Sequence, residues 1–276
     1  MSHLYKRSYN GPLKAIIFDW AGTTMDYGCL SPASPFIETF KLFNLDISMS
    51  EARGPMGMFK RDHIKTILNM PRIKKQWNEF YKRDLTEKDI DNIFETYLPL
   101  QFEVLANFKK LIPGAKETVD HARKMGLKIG STTGYSREMI KILLPLATEQ
   151  GYCPDNVICM DEVPAGRPSP WMAVMSAMKL GVYPFSSIVK VGDTVVDIEE
   201  GLNAGMWTVA LAKCGNEMGL SESEVNALSP IEYDIRLKRA YNTLSKAGAH
   251  FVIDSISDLP TIIDEINRRL QKGECP

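Results

Sequence analysis

The chain has 276 residues, of which 44% are hydrophobic and 24% charged, and its formal net charge is −1 at pH 7. This composition is that of a folded globular protein, and it argues against the basic surface by which proteins bind nucleic acid or an anionic membrane. The five scattered cysteines form no Cys-X-X-Cys pair, which predicts reduced thiols in a cytoplasmic protein rather than a disulfide framework or a zinc site. Residues 1–13 are polar and basic, so we expect neither a secretory signal nor a membrane span.

The first predicted strand covers residues 13–20, and the rest of the chain is organised around it. Its apolar run Ala15-Ile16-Ile17-Phe18 is typical of a strand buried on both faces of a parallel sheet, and Asp19 then stands at the carboxyl end of that strand. In open α/β sheets, ligands bind at that end. The alternative is structural, with Asp19 capping the turn that follows.

Helical periodicity without a convincing strand extends from about residue 31 to residue 108. Helices are predicted to begin near residues 31, 50, 73 and 86. We expect the second of them to reach Met70, where Pro71 breaks it, and we expect Pro99 to kink or end the fourth. A helical block of this length has the size of a small domain.

Strands and helices alternate beyond residue 114, with strands predicted at residues 127–133, 157–160, 188–191, 207–211 and 250–253. Alternation of this kind predicts an α/β fold with a Rossmann-like, doubly wound parallel sheet. The first strand needs partners, and the later strands supply them. We therefore predict a discontinuous α/β core domain at residues 1–27 and 107–276, with an inserted all-helical cap domain at residues 28–106.

Polar side chains follow three more of the predicted strands. Thr133 lies in a turn of glycines and hydroxyls, and Arg167 lies in a rigid Pro-Ala-Gly-Arg-Pro loop. Asp193 and Asp197 stand four residues apart at a strand-to-helix junction. Taken one at a time, each has a structural explanation as a helix cap or a solvated cation. Together with Asp19 at the same edge of the sheet, the carboxylates predict an oxygen-ligand site for Mg²⁺.

The series Asp19, Thr133, Arg167, Asp193 and Asp197, in that order on an α/β core, resembles the haloacid dehalogenase (HAD-like) superfamily of phosphotransferases. The resemblance implies that Asp19 is a nucleophile that forms an aspartyl-phosphate. It implies that Thr133 and Arg167 hold the phosphoryl oxygens. It also implies Mg²⁺ bound by Asp19 and Asp193, with Asp197 in support.

Ala21 departs from the pattern of that superfamily. Its phosphatases usually have an aspartate two residues after the nucleophile, which protonates the leaving alkoxide, and here that position is Ala21. The backbone carbonyl of Ala21 could still reach the metal. Either the enzyme is inactive, or its leaving group needs no proton from this side chain.

Lys60 in the predicted cap offers another way to activate a leaving group. It stands in mostly apolar company, and if this part is helical, Met56, Lys60 and His63 share one face. A lysine against apolar surface and near another cation can lose its proton and form a Schiff base, and His63 could relay protons. The alternative is that Lys60 extends from a cap helix into solvent.

Several segments resemble a narrower family, the phosphonoacetaldehyde hydrolases (phosphonatases), almost from end to end of the chain. They are Asp-Trp-Ala-Gly-Thr-Thr at 19–24, Asp-Tyr-Gly-Cys at 26–29, Pro-Met-Gly at 55–57 with Lys60, Gly-Ser-Thr-Thr-Gly-Tyr at 130–135 and Val-Pro-Ala-Gly-Arg-Pro at 163–168. The resemblance implies that Lys60 forms an imine that takes up the electron pair of the phosphorus–carbon bond, so no alkoxide needs a proton at residue 21. It implies a pocket lined by Cys29, Met56, Gly57, His63 and Tyr135.

The same resemblance implies a role in degrading 2-aminoethylphosphonate and a homodimer formed through the caps. The apolar residues Phe36, Phe40 and Trp77 are candidate contributors to that dimer. Two alternatives stay open at this point. One is a phosphomonoester phosphatase or phosphomutase on the same scaffold, against which Ala21 speaks. The other is a non-catalytic phosphonate-binding sensor that kept the pocket.

Overall fold

A six-stranded parallel sheet forms the centre of the protein. The computed structural model describes residues 9–276, and the polar segment at the start of the chain lies mostly outside that range. The strands are Ala15–Phe18 (β1), Lys128–Thr133 (β2), Asn156–Cys159 (β3), Ile188–Gly192 (β4), Trp207–Leu211 (β5) and Phe251–Ile253 (β6). They lie in the order β3-β2-β1-β4-β5-β6, and every pairing is parallel. The predicted doubly wound α/β fold is therefore confirmed.

An all-helical insert follows β1, as predicted. Its helices are Ala33–Leu42 (α1), Met49–Arg53 (α2), Lys60–Leu68 (α3), Pro71–Tyr81 (α4) and Glu87–Leu105 (α5). They pack around an apolar cluster of their own. Phe36, Phe40 and Trp77 lie inside that cluster and are at most 2% exposed, so they stabilise the insert internally. Their predicted contribution to a dimer contact is wrong, because none of them reaches the surface.

The remaining helices cover both faces of the sheet. They are Ala115–Lys124 (α6), Arg137–Glu149 (α7), Trp171–Leu180 (α8), Val195–Asn203 (α9), Glu222–Ala227 (α10), Pro230–Lys246 (α11) and Leu259–Gln271 (α12). Along β1, Ile16 and Phe18 join the apolar cluster on one face, and Ala15 and Ile17 join the cluster on the other. A strand buried on both sides has no place for a polar residue until it ends, which is why the continuous apolar run predicted it.

The expected single helix from residue 50 to Met70 is wrong. Helix α2 begins with a capping box between Ser48 and Glu51 and ends at Arg53, and α3 begins only at Lys60. The turn between them contains Pro55, which has no N–H to donate, and Gly57, whose φ is +89°. Met56 therefore lies on this turn and not on a helical face shared with Lys60 and His63.

Pro99 does not end helix α5, which was one of its two predicted effects. The proline lies inside the helix, which continues to Leu105. The buried positions Ile93, Tyr97 and Gln101 repeat at four-residue steps across the proline, so packing holds the helix together through it.

All five cysteines are free, as the sequence predicts. Over the part of the chain that the structure describes, no helix combines the length and apolar character needed to cross a membrane.

Candidate active site

One small cavity lies between the cap and the carboxyl ends of four neighbouring strands, β3, β2, β1 and β4. β1 lies between β2 and β4, so the crossover direction reverses beside it and a crevice opens at the strand ends. Asp19 at the floor and Lys60 above it are each 5% exposed. The cavity is lined by Asp19, Ala21, Cys29, Pro32, Met56, Gly57, Lys60, Thr133, Gly134, Tyr135, Arg167 and Thr194.

A buried network of charges underlies this cavity. The guanidinium of Arg167 lies 2.7 Å from Asp19 Oδ1, 3.0 Å from Asp197 Oδ1 and 2.9 Å from Glu200 Oε2. The Nζ of Lys190 lies 2.8 Å from Asp197 and 3.3 Å from Glu200. All five side chains are at least nine-tenths buried. Arg167 is thus held beside Asp19 by its bonds to Asp197 and Glu200, and it still borders the cavity.

Burial and like charge set the protonation of the aspartates. Burial raises the pKa of Asp19, although the Arg167 guanidinium opposes the shift. Burial and the neighbouring Asp19 and Asp197 carboxylates raise the pKa of Asp193 well above its usual range. The pKa of Asp197 is lowered despite burial, because Arg167 and Lys190 hold its carboxylate. Neighbouring cations therefore do not fully balance the negative charge of Asp19 and Asp193, whereas they do balance that of Asp197.

The carboxylate cluster fits a divalent cation. Oxygen atoms of Asp19, Asp193 and Asp197 all lie within 4.8 Å of one another. Among the described residues no cation lies within ion-pairing distance of Asp193, whose oxygens accept only from the Thr23 hydroxyl (2.9 Å) and the Asn216 amide (2.8 Å). Together with Asp193, the network brings four acidic side chains against the two cations of Arg167 and Lys190, so a further positive charge would balance the site. Oxygen ligands are those that Mg²⁺ prefers.

The cap supplies Lys60 from the first turn of α3. Its Nζ lies 5.7 Å from the centre of the Phe36 ring and 5.6 Å from that of the Tyr135 ring. Burial is the main cause that lowers the pKa of Lys60 to about 8, and Arg167 adds to the lowering. At pH 7 such a pKa leaves roughly one lysine in ten as the neutral amine, against about three in ten thousand for an ordinary lysine. Burial therefore makes the neutral amine of Lys60 far more accessible than that of an exposed lysine.

His63 lies one turn beyond Lys60 on α3, behind the cavity rather than on its wall. Its Nε2 is 2.8 Å from the carbonyl oxygen of Ala52, which can only accept, so Nε2 carries the proton. Burial, and then the Lys60 charge, lowers the pKa of His63 well below its ordinary value. The other nitrogen, Nδ1, is buried without a hydrogen-bond partner in the described structure. His63 is thus a neutral imidazole with a free lone pair.

The other predicted pocket residues close the cavity from both domains. The turn carrying Met56 and Gly57 lies on the core, and a Cβ at Gly57 would come within 2.6 Å of Thr194 Oγ1. Thr133 Oγ1 accepts from the Tyr135 amide at 3.1 Å, and the Tyr135 hydroxyl bonds Ser31 at 2.7 Å. Every residue predicted to line the pocket borders this cavity except His63, which lies behind it, so its predicted place on the wall is wrong.

Comparisons with known proteins agree with this architecture. The sequence profile of the haloacid dehalogenase-like hydrolases matches residues 13–205. A phosphonoacetaldehyde hydrolase of Syntrophobacter fumaroxidans is 44% identical over 270 residues, which are 98% of each chain. A phosphonoacetaldehyde hydrolase-like protein of the same organism is 43% identical over 97% of each chain. The crystal structure of a phosphonoacetaldehyde hydrolase like protein from Oleispira antarctica superposes with a TM-score of 0.96 at 41% identity and full coverage of both chains.

The chain belongs to the phosphonoacetaldehyde hydrolase family of haloacid dehalogenase-like hydrolases. Sequence identity and structural superposition both support this, since each covers nearly the whole chain and so includes the cap as well as the core.

Sequence reasoning missed Lys190, Glu200 and Asn216, which support the site without lining it. Lys190 lies in the middle of the fully buried strand β4, and a lysine there requires a charged partner. Glu200 follows Asp197 by three residues, which places both carboxylates on one face of α9. These two signals were available in the sequence. The position of Asn216 depends on a loop after β5, for which periodicity gives no guide.

Proposed function

We propose that the protein hydrolyses the phosphorus–carbon bond of phosphonoacetaldehyde to acetaldehyde and phosphate. The observation that carries this proposal is the meeting of Lys60 and Asp19 in one small, desolvated cavity. An amine that can be neutral faces a carboxylate at the carboxyl edge of the sheet, and each suits one end of a small aldehyde that carries a phosphonate. The names of the relatives support the same substrate.

The proposed reaction begins at Lys60. Its neutral amine attacks the aldehyde carbon, and loss of water together with uptake of one proton from solvent leaves a protonated imine. Asp19 then attacks phosphorus, the phosphorus–carbon bond breaks, and its electron pair passes into the imine to give an enamine. No alkoxide forms, which accounts for Ala21 in place of an acid.

Two hydrolyses complete the proposed cycle. Water cleaves the aspartyl-phosphate, releasing phosphate and restoring the Asp19 carboxylate. The enamine is protonated on carbon, and hydrolysis of the resulting imine releases acetaldehyde and free Lys60. Thr133 and Arg167 are proposed to hold the phosphoryl oxygens through these steps.

A bound Mg²⁺ would be held by Asp19, Asp193 and the backbone carbonyl of Ala21, with Asp197 in support through Thr194 and Lys190. It would supply positive charge against the phosphoryl oxygens. We further propose a place in the breakdown of 2-aminoethylphosphonate in the cytoplasm and a homodimer formed through the cap surface. The dimer contact must use residues other than those buried inside the cap.

Borohydride trapping tests the function directly. With phosphonoacetaldehyde present, reduction should fix an ethyl group on Lys60, and peptide mapping by mass spectrometry identifies the labelled residue. Without substrate no label should form, and simple sugar phosphates should be hydrolysed negligibly. A label on another lysine, or none, rules out the imine. Rapid hydrolysis of sugar phosphates would instead favour the phosphomonoesterase alternative.

The increase of kcat/KM with pH should follow the deprotonation of Lys60. The neutral amine is the reactive form and burial holds its pKa at about 8, so kcat/KM should rise with pH and level off above that value. Steady-state rates measured from about pH 6 to about pH 10 check this. A rate that still rises without a bend at the top of this range, as the ordinary lysine pKa of 10.5 requires, would show that burial does not activate Lys60.

A further inference from the structure

We propose that Arg53 and Asn216 form a latch that holds the cap closed over the core. Arg53 is the last residue of the cap helix α2, and Asn216 lies in the core loop after β5. The two are 163 residues apart in sequence, so their contact joins the two domains. The inference deepens the proposed function, since that reaction needs Lys60 of the cap and Asp19 of the core on one substrate.

The contact is reciprocal. Arg53 Nη1 donates to Asn216 Oδ1 at 3.2 Å, and Asn216 Nδ2 donates back to the carbonyl oxygen of Arg53 at 3.3 Å. The same Nη1 donates to the carbonyl of Gly28 at 2.9 Å, in the linker that leads from β1 into the cap. One guanidinium thus joins the cap, the linker and the core loop.

The partners of Arg53 suit a contact that must open. Within the described residues no carboxylate lies within 4.0 Å of its guanidinium, which bonds only to neutral oxygens. Its Nε is buried and has no hydrogen-bond partner among residues 9–276. Charge-assisted bonds to neutral groups hold the domains together without the large cost of separating a buried ion pair.

Asn216 also touches the proposed metal site. Its backbone amide donates to Asp193 Oδ2 at 2.8 Å, and the residue is 5% exposed. The side chain of one residue therefore binds the cap while its backbone orients the carboxylate. Through Asn216, closure of the cap and the position of Asp193 are mechanically linked, and Arg53 and Asn216 are positioning residues for the reaction.

The alkylation rate of the Cys29 thiol measures cap opening without any substrate. It is 3% exposed and is enclosed between Met56 of the cap turn and Ala21 of the core, so cap opening uncovers it. In a Cys153→Ser, Cys275→Ser background, which removes both exposed thiols, alkylation of Cys29 is followed by peptide mapping. Cys159, buried in the apolar cluster of the core, reports any general loosening.

Arg53→Lys and Asn216→Ala should each speed Cys29 alkylation roughly tenfold, the scale of one charge-assisted hydrogen bond, and leave Cys159 unchanged. The double variant should accelerate alkylation by less than the product of the two single effects, because both substitutions remove the bond between Arg53 Nη1 and Asn216 Oδ1. Arg61→Lys is the control, since Arg61 pairs only with Asp91 and Glu87 inside the cap. An unchanged Cys29 rate, equal acceleration of Cys159, or additive effects would overturn the latch. Failed borohydride trapping in the unmodified protein would remove the proposed function and leave this result intact.

Discussion

Replacing Lys60 with arginine is expected to abolish turnover of phosphonoacetaldehyde, lowering kcat by about 10⁴-fold or more, the scale on which a covalent catalyst loses activity without its nucleophile. Arginine keeps the positive charge and a similar length, but its guanidinium stays protonated at every pH at which the protein is folded. It therefore cannot attack the aldehyde, and the phosphorus–carbon bond has no electron acceptor. Release of phosphate and of acetaldehyde, each followed by a coupled assay, measures the effect.

Lys65→Arg is the matched control for that variant. Lys65 lies on the same helix but is exposed and pairs with Glu87 at 2.6 Å, so arginine there should leave turnover near normal. The Lys60→Arg protein should give no borohydride label at residue 60. Near-normal turnover by this variant would contradict the imine mechanism, since the variant removes only the ability to become a neutral amine.

The sheet could be predicted from the sequence because its strands are buried on both faces. A short apolar run such as Ala15-Ile16-Ile17-Phe18 that ends at turn residues favours such a strand, and the helices between the strands follow from their own periodicity. The insert was equally visible as a block without strands. The break between α2 and α3 was missed because apolar residues continue through the turn at Met56. Gly54 and Pro55 carry the signal for this break, since both residues are typical of turns.

The sequence predicts those residues of the candidate site whose polar side chains lie at the end of a strand. Asp19, Thr133 and Asp193 each end or follow a strand, and parallel strands bring such positions to one edge. The charges behind them were not predictable in the same way. Pairing of Arg167 with Glu200 depends on how a loop and a helix pack in three dimensions, and no spacing in the sequence encodes it. The placement of Lys60 opposite Asp19 came only through resemblance, since it depends on how the cap sits on the core.

Replacing Asp19 with asparagine is expected to stop turnover, again by about 10⁴-fold or more, while leaving imine formation at Lys60 intact. The amide cannot accept the phosphoryl group, so the reaction halts before the phosphorus–carbon bond breaks. The Asp19 carboxylate raises the pKa of Lys60, although less than burial lowers it, so its removal favours the neutral amine. Asp62→Asn, at an exposed position of α3, is the control and should keep full activity.

The mass of the borohydride adduct separates the two chemical steps. In the unmodified protein the bond breaks before reduction, so Lys60 should carry an ethyl group. In Asp19→Asn the trapped imine still holds its phosphonate, so the same lysine should carry a phosphonoethyl group. The order of events follows from this difference, because an intact phosphonate on Lys60 means that the imine forms first and that cleavage waits for Asp19. An ethyl adduct on Asp19→Asn would show that the bond breaks without the aspartate, and the aspartyl-phosphate would then have no place in the mechanism.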